Sequence, residues 1–177
     1  MSGTSDGGFN VGDMGCVREH QRPHLRFKAL RSGAVAATRT LIDARPRQLT
    51  DPQRREAFTT WATKMSDLYR VDVPVISWVP RLHADNGFYG LYSSESARIF
   101  LDPMRPSIIT LAHEYRHHLQ SNGARLVCDD IEHDAQGWSM SLHYSAHPQL
   151  FARLVRAGQV AFIDPAALRR ITGETPP

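Results

Sequence analysis

The chain has 177 residues, of which 41% are hydrophobic and 22% charged, and its formal net charge at pH 7 is +3. These proportions are typical of a soluble globular protein with enough residues for one hydrophobic core. No apolar run approaches the roughly 18 residues of a membrane span, and the N-terminus lacks the apolar core of a signal peptide. Two cysteines, Cys16 and Cys128, do not make a disulfide framework, so we interpret both as reduced thiols and expect a cytoplasmic protein.

The two ends of the chain differ in composition from the middle. The first 15 residues include five glycines together with Ser, Thr, Asp and Asn, which bury little apolar surface. We therefore predict a flexible tail over residues 1–20, a single domain over residues 21–172 and a short tail over residues 173–177.

A basic segment follows the first tail. Residues 18–55 contain ten Lys or Arg against three acidic residues, a local balance of ten minus three, or seven positive charges. Such a segment is either a surface for nucleic acid or an acidic partner, or an ordinary solvated face. Because the whole chain carries only +3, the solvated face is the favoured interpretation and nucleic-acid contact the less favoured one.

Two helices are predicted before any strand. The first lies within residues 25–44. The second begins at Asp51-Pro52, because Asp is a common N-cap and proline fits the first helical position. Apolar residues then recur at helical spacing and predict one core face. These residues are Phe58, Trp61, Ala62, Met65, Leu68 and Tyr69.

Three short strands come next. Residues 73–79 read VPVISWV, a composition rich in β-formers. Residues 88–92 and 98–101 flank the turn residues 93–97 and are typical of a β-hairpin. Further along, residues 148–157 and 165–171 are predicted to form short helices after the metal-binding region described next.

The stretch that starts at residue 108 reads IITLAHEYRHHLQ and contains an HExxH motif. Since an α-helix has about 3.6 residues per turn, His113 and His117 lie one turn apart on one face, where both can bind one metal ion. Glu114 lies beside the first ligand, close to where a metal-bound water would sit. The preceding residues are apolar and Ser107 can cap the helix, so we predict a buried helix whose polar groups a metal ion would satisfy.

A catalytic zinc site usually has three protein ligands and one open position. The pair Asn122-Gly123 ends the HExxH helix, and Asp129-Asp130 starts the next helix, over residues 131–144. A helical hairpin would bring Glu132 back towards the two histidines, so Glu132 is the favoured third ligand. The alternative ligands within five residues are Asp129, Asp130, His133 and Asp134.

Other polar residues near the motif have different predicted roles. Either His133 or Asp134 could instead orient a ligand imidazole through a hydrogen bond, and Asp134 is the better candidate of the two. His118 is five residues from His113 and therefore off the metal-binding face. Tyr115 and Arg116 lie on the far side of the helix, where we expect structural roles.

The run HEYRHHLQ, followed by IEHDAQGWSMSL, resembles the ImmA/IrrE-type metallopeptidases, in which a helix opening E-x-E-A-x-x-F-A follows the HExxH helix. Here Glu132 matches the metal-ligand position, Asp134 stands for a family Glu, Trp138 for the aromatic residue and Ser139 for Ala. The resemblance covers residues 87–144. It implies a small zincin-like α+β domain, with a short antiparallel-containing sheet packed on the HExxH helix, a second metal-ligand helix, and helices at both ends.

The motif and the resemblance predict a zinc-dependent peptidase with one zinc ion per chain, bound by His113, His117 and Glu132. Glu114 is expected to act as general base on a zinc-activated water. The substrate is a protein or peptide, and the resemblance suggests a regulatory protein. A further donor is needed for the tetrahedral intermediate. The candidates are Tyr89, Tyr92, His143, Tyr144 and His147.

The resemblance also implies that the substrate pairs with an edge strand of the sheet, because an exposed edge offers unpaired N–H and C=O groups to an extended peptide. We assign this role to residues 97–101, with an internal strand as the alternative. The residues concerned are Ala97, Arg98, Ile99, Phe100 and Leu101.

An alternative function is that of a metal-stabilised regulatory or binding protein without peptidase activity, which contacts nucleic acid through residues 18–55. Glu114 distinguishes the two functions, because a closed structural zinc site fills all four positions with ligands and has no use for a general base. Its presence favours catalysis.

Overall fold

The computed structural model of the protein describes residues 30–82, 85, 89–126 and 130–158. These residues form helices and one small mixed sheet, so the predicted α+β class is confirmed. None of the described helices combines the length and apolar character needed to cross a membrane. The predicted tails at 1–20 and 173–177, the helix at 165–171 and both cysteines lie outside the described residues.

The elements follow one another in the order helix, helix, sheet, helix, helix, helix. Between the first two α-helices lies a short 3-10 turn, Pro46–Gln48. The described elements are α1 (Ser32–Asp43), α2 (Asp51–Tyr69), β1 (Val75–Trp78), β2 (Gly90–Ser93), β3 (Arg98–Leu101), α3 (Ile108–Ser121), α4 (Ile131–Ala146) and α5 (Pro148–Arg156).

The start of α2 differs from the prediction by one residue. Asp51 already belongs to the helix, and the N-cap is Thr50, whose extended backbone precedes it. The backbone N–H of Thr50 donates to Oε1 of Gln53 at 3.1 Å. Asp51 instead accepts from Arg54 at 2.8 Å, so its carboxylate supports the first turn through an ion pair rather than a cap.

The sheet has the strand order β1-β3-β2. β1 pairs with β3 in parallel, and β2 pairs with β3 antiparallel, which confirms the predicted hairpin. The assignment of residues 97–101 as the substrate edge is wrong, because β3 (Arg98–Leu101) is hydrogen-bonded on both sides. Ala97 does not even belong to the strand, since its φ of 46° lies in the left-handed region. The two edges of this sheet are β1 and β2.

The core lies where α2, α3 and the inner face of the sheet meet. Four of the six predicted α2 core residues are buried, and Leu68 with Tyr69 is partly buried against them. The Trp61 ring meets the Tyr115 ring of α3 edge-on, with centroids 5.3 Å apart. The largest fully buried side chains of these elements are Phe58, Trp61, Met65, Ile99, Leu101, Leu111, Tyr115 and Leu119.

Helices α3 and α4 pack against each other, and local caps define where each begins. The Ser107 hydroxyl accepts from the N–H of Thr110 at 3.2 Å, and the Asp130 carboxylate accepts from the N–H of His133 at 2.8 Å. Side-chain caps of this kind satisfy N–H groups that have no partner within the helix. The first turn of α4 lies beside the middle of α3.

Candidate metal centre

Three side chains from α3 and α4 meet at one point. His113 and His117 are one turn apart on α3, and their Nε2 atoms are 3.1 Å from each other. Glu132, in the first turn of α4, places one carboxylate oxygen 3.2 Å from Nε2 of His113 and the other 3.3 Å from Nε2 of His117. The predicted trio is thus brought together by the helix pair.

The spacing of these donor atoms fits a tetrahedral zinc ion. Zinc binds imidazole nitrogen and carboxylate oxygen at about 2.0–2.1 Å, which in a tetrahedron places neighbouring donors about 3.3–3.4 Å apart. The three separations here are 3.1, 3.2 and 3.3 Å. Two imidazoles with one carboxylate also match the composition of catalytic zinc sites that keep a fourth position open.

The described alternatives to Glu132 have other partners. Asp130 caps α4, and His133 lies 3.9 Å from Asp130. Asp134 is buried and pairs with Arg116. Asp129 lies outside the described residues.

The charges of the three residues depend on one another. Hydrogen bonds from His113 and His117 hold the pKa of the Glu132 carboxyl far below its usual range, although partial burial opposes this. Burial lowers the pKa of His117, but hydrogen bonds with Glu132 and Gln120 and the nearby carboxylates outweigh it, so the pKa is raised. The site therefore favours positive charge between the three side chains, which is what a bound cation supplies.

Glu114 lies next to this trio without being part of it. Its side chain is buried, and its carboxylate accepts a hydrogen bond from the backbone N–H of Tyr92 on β2. Burial raises the pKa of Glu114 above the ordinary value, and the Glu132 charge adds to this while the two imidazoles oppose it. A carboxyl group with a raised pKa is suited to take up and release a proton.

Gly90 on β2 makes room for Glu114. A Cβ atom at this position would lie 2.6 Å from Cγ2 of Thr110 and 2.9 Å from Oε1 of Glu114. Both distances are well below normal van der Waals contact, so only glycine allows β2 to come this close to α3. The HExxH motif does not point to Gly90, because the need for a glycine arises only when the strand packs on the helix.

The hydrogen-bond partner of His117 is Gln120 and not Asp134. Nδ1 of His117 lies 2.7 Å from Oε1 of Gln120, and Nε2 of Gln120 donates to Asp134 at 2.9 Å. The Asp134 carboxylate lies one amide away from this ring, against Arg116, and the prediction that it orients a ligand imidazole stays a prediction. The spacing of His117 and Gln120, three apart on one helix, is a signal that could have identified the contact.

The remaining residues of the motif helix have the structural roles expected of them. His118 is buried away from the trio, with Nδ1 3.1 Å from the Tyr92 hydroxyl and Nε2 2.8 Å from the carbonyl oxygen of Asp72. The Tyr115 hydroxyl lies 2.9 Å from Oγ of Ser66. These contacts join α3 to the sheet and to α2.

Three of the five candidate donors for the tetrahedral intermediate have other contacts. The Tyr92 hydroxyl is bonded to His118, the Tyr89 hydroxyl accepts from Arg105 at 3.0 Å, and Nδ1 of His147 accepts from the N–H of Leu150 at 3.3 Å. His143 is buried and packs on Phe151, with ring centroids 5.8 Å apart.

Much of the described part of the basic segment is bound within the fold. Arg31 donates to the Leu68 carbonyl, Arg39 to the Ala146 carbonyl at 2.9 Å, and Arg54 to the carbonyls of Pro46 and Leu49. The Arg55 guanidinium lies over the Trp78 ring, 5.5 Å from its centroid. These groups stabilise helix ends and junctions, whereas residues 18–29 lie outside the described part.

No family model matches this chain, and no curated protein or solved structure matches it either. Its function must therefore be inferred from the geometry and chemistry of the site.

Proposed function

We propose that the protein is a zinc-dependent peptidase of the zincin type. The observation that carries the proposal is the meeting of His113, His117 and Glu132 at tetrahedral donor spacing, with the buried carboxylate of Glu114 beside them. A purely structural site would need a fourth ligand and no adjoining carboxylate. A buried carboxylate that is not a ligand favours catalysis.

In this proposal each residue has a distinct task. When bound, zinc lowers the pKa of a coordinated water towards about 7 and polarises the scissile carbonyl. Glu114 accepts the proton of the attacking water and then delivers it to the leaving amine. Its raised pKa favours the first of these transfers, because a more basic carboxylate accepts the proton of water more readily.

The edge strand for the substrate is β2 in this proposal. The N–H of Asp102 donates to the Tyr89 carbonyl, and the register pairs Gly90 with Leu101. Backbone groups alternate in direction along an antiparallel pair, so those of Gly90 and Tyr92 point away from β3. Because the N–H of Tyr92 donates to Glu114, a peptide would pair with the backbone groups of Gly90 and the carbonyl of Tyr92. This edge adjoins Glu114, and an extended peptide that pairs with it would run past the proposed catalytic residues.

The resemblance to ImmA/IrrE-type metallopeptidases supports a regulatory protein as the substrate class. Glu132 occupies the position of the family's ligand, and Asp134 replaces a family Glu. The zincin-like fold assignment belongs to the same proposal. Its support is the order of a small mixed sheet, the HExxH helix and the Glu132 helix.

The test begins with the metal content of the purified protein, measured by elemental analysis after zinc is supplied. We expect about one zinc per chain in the wild type, loss of the metal in Glu132→Ala, and retention in the matched control His133→Ala. Absence of zinc from the wild type would overturn the proposal.

The second stage measures cleavage of unfolded casein and of a fluorogenic peptide library. We expect Glu114→Gln to retain zinc and to lose activity by about 10²–10⁴-fold, the usual contribution of a general base. Unchanged turnover in this variant would exclude Glu114 as the base. Zinc binding without cleavage of any substrate would instead support the alternative of a metal-stabilised binding protein.

A further inference from the structure

Gln120 contacts both helices that supply the metal ligands. Its Oε1 lies 2.7 Å from Nδ1 of His117, on its own helix. Its Nε2 donates to the carbonyl oxygen of Ile131 and to Oδ2 of Asp134, both at 2.9 Å and both in the first turn of α4. One amide group therefore joins α3 to the turn that carries Glu132.

The partners of this amide determine which way it points. The Ile131 carbonyl and the Asp134 carboxylate are acceptors, so the NH₂ group of Gln120 must face them. The amide oxygen then faces His117, so Nδ1 of His117 must carry a proton and donate a hydrogen bond to this oxygen. In the neutral imidazole, Nε2 of His117 then keeps its lone pair, which is directed at the other two metal-binding side chains.

A buried ion pair holds Asp134 in place. Nε of Arg116 donates to the same oxygen, Oδ2, at 2.6 Å, and the side chains of Arg116 and Asp134 are only 7% and 0% exposed. Arg116 also donates to the Arg125 carbonyl at 2.9 Å. The orientation of Gln120 thus depends on a carboxylate that has little freedom to move.

We propose that Gln120 is a positioning residue, which sets the tautomer of His117 for metal binding and ties the Glu132 turn to it. The inference rests on the proposed metal centre for its consequence but not for its geometry. Metal-binding histidines commonly donate their second ring N–H to a carboxylate or a carbonyl group, and loss of that partner costs about 10–100-fold in metal affinity. Here an amide acts as the intermediary between the imidazole and a buried carboxylate.

The first measurement is ¹⁵N NMR of the imidazoles in Glu132→Ala stripped of metal with a chelator, because this variant has no Glu132 carboxylate to compete for the proton on Nε2 of His117. We expect His117 in its neutral form to carry the proton on Nδ1. A proton on Nε2 instead would overturn the inference whether or not the protein binds zinc. This outcome is therefore separable from failure of the proposed function, which a zinc-free wild type would show.

The second measurement is zinc affinity by competition with a chromophoric chelator. Gln120→Met keeps the length of the side chain without its hydrogen bonds, and we expect affinity to fall about 10–100-fold and His117 to populate both tautomers. The control is Gln136→Met, on the next helix and equally half-buried, which should stay within about twofold of the wild type. Equal affinities for the two variants would contradict the inference.

A third variant tests whether Gln120 must also donate to the α4 turn, which we call its bracing role, or need only accept the hydrogen bond from His117. Gln120→Glu can still accept from His117, but it cannot donate to Asp134 or Ile131, and its charge opposes that of Asp134. We expect weaker zinc binding than in the wild type, and partial recovery when Asp134→Asn is added to supply an N–H donor. Affinity equal to or above that of the wild type in Gln120→Glu alone would contradict the bracing role.

Discussion

Glu114 and Gly90 depend on each other at the scale of single residues. The carboxylate of Glu114 is buried beside a strand whose backbone donates to it, and this approach is possible because Gly90 has no side chain. The HExxH motif identifies the carboxylate, whereas the glycine that admits it belongs to another element.

Gly90→Ala tests this dependence. The added Cβ would meet Thr110 at 2.6 Å and Glu114 at 2.9 Å, so strand and carboxylate must move apart. We expect the free energy of unfolding in urea to fall by about 1–3 kcal/mol, as in other overpacked sites. We expect the proposed peptidase activity to fall roughly 100-fold, since a displacement of about 1 Å at a reacting group costs that much.

Ser93→Ala, at the other end of β2, is the matched control and should leave both quantities near the wild-type values. Zinc content should stay at the wild-type level in both variants. The atoms nearest to a Cβ added at Gly90 belong to Thr110 and Glu114, and neither residue is a proposed metal ligand. Wild-type stability and activity in Gly90→Ala would show that the strand can shift freely.

At the scale of elements, α3 and α4 are joined by the ion pair of Arg116 and Asp134. Both charges are removed from water, and the Arg116 guanidinium also lies 5.9 Å from the centroid of the Trp138 ring. Breaking a buried pair on one side leaves an uncompensated charge, which is more harmful than replacing both partners with apolar groups.

We expect Asp134→Ala to lower the free energy of unfolding by about 3–5 kcal/mol. The double variant Arg116→Met with Asp134→Leu should lose less, because no charge stays buried. Asp85→Ala provides a comparison, since its pair with Arg81 is exposed and worth at most about 1 kcal/mol. Urea unfolding measures all three, and equal losses in Asp134→Ala and Asp85→Ala would mean that the buried pair is not important for stability.

The elements themselves were predicted well where local chemistry decides them. Ser107 and Asp130 cap their helices as expected, since a hydroxyl or carboxylate next to free N–H groups needs no distant partner. The order of strands was not predictable in the same way. β1 pairs in parallel with β3, so β3 lies between β1 and β2. The composition of such short strands does not specify which strands become neighbours.

At the scale of the whole molecule, stability is coupled to pH through His143. This residue is 4% exposed, and its Nδ1 has no hydrogen-bond partner in the described part of the chain. Burial, with a smaller contribution from the charge of His147, lowers the pKa of His143 to about 4. The unfolded chain has the ordinary value of about 6.5, so between these two pH values unfolding takes up a proton.

The native state should therefore lose stability as the pH falls from about 6.5 to 4. Between pH 7 and pH 5 this residue alone accounts for about 2 kcal/mol. We expect His143→Leu to reduce the pH dependence of the unfolding free energy by that amount, when both proteins are measured in urea with a chelator present. His133→Leu, at a half-buried position, should keep the wild-type dependence, and the same slope in all three proteins would exclude His143 as its source.

The sequence by itself determined that His113 and His117 can share one metal ion and that Glu114 lies beside them. The pitch of a helix places residues four apart on one face wherever the helix lies. It also determined the class of elements, since periodicity and caps are local. Tertiary structure decided the rest. Glu132 rather than its neighbours reaches the histidines, Gln120 rather than Asp134 contacts His117, and β2 rather than β3 forms the edge beside Glu114. Each of these outcomes depends on how α4 and the strands pack against α3, a property of side chains that are distant in the chain.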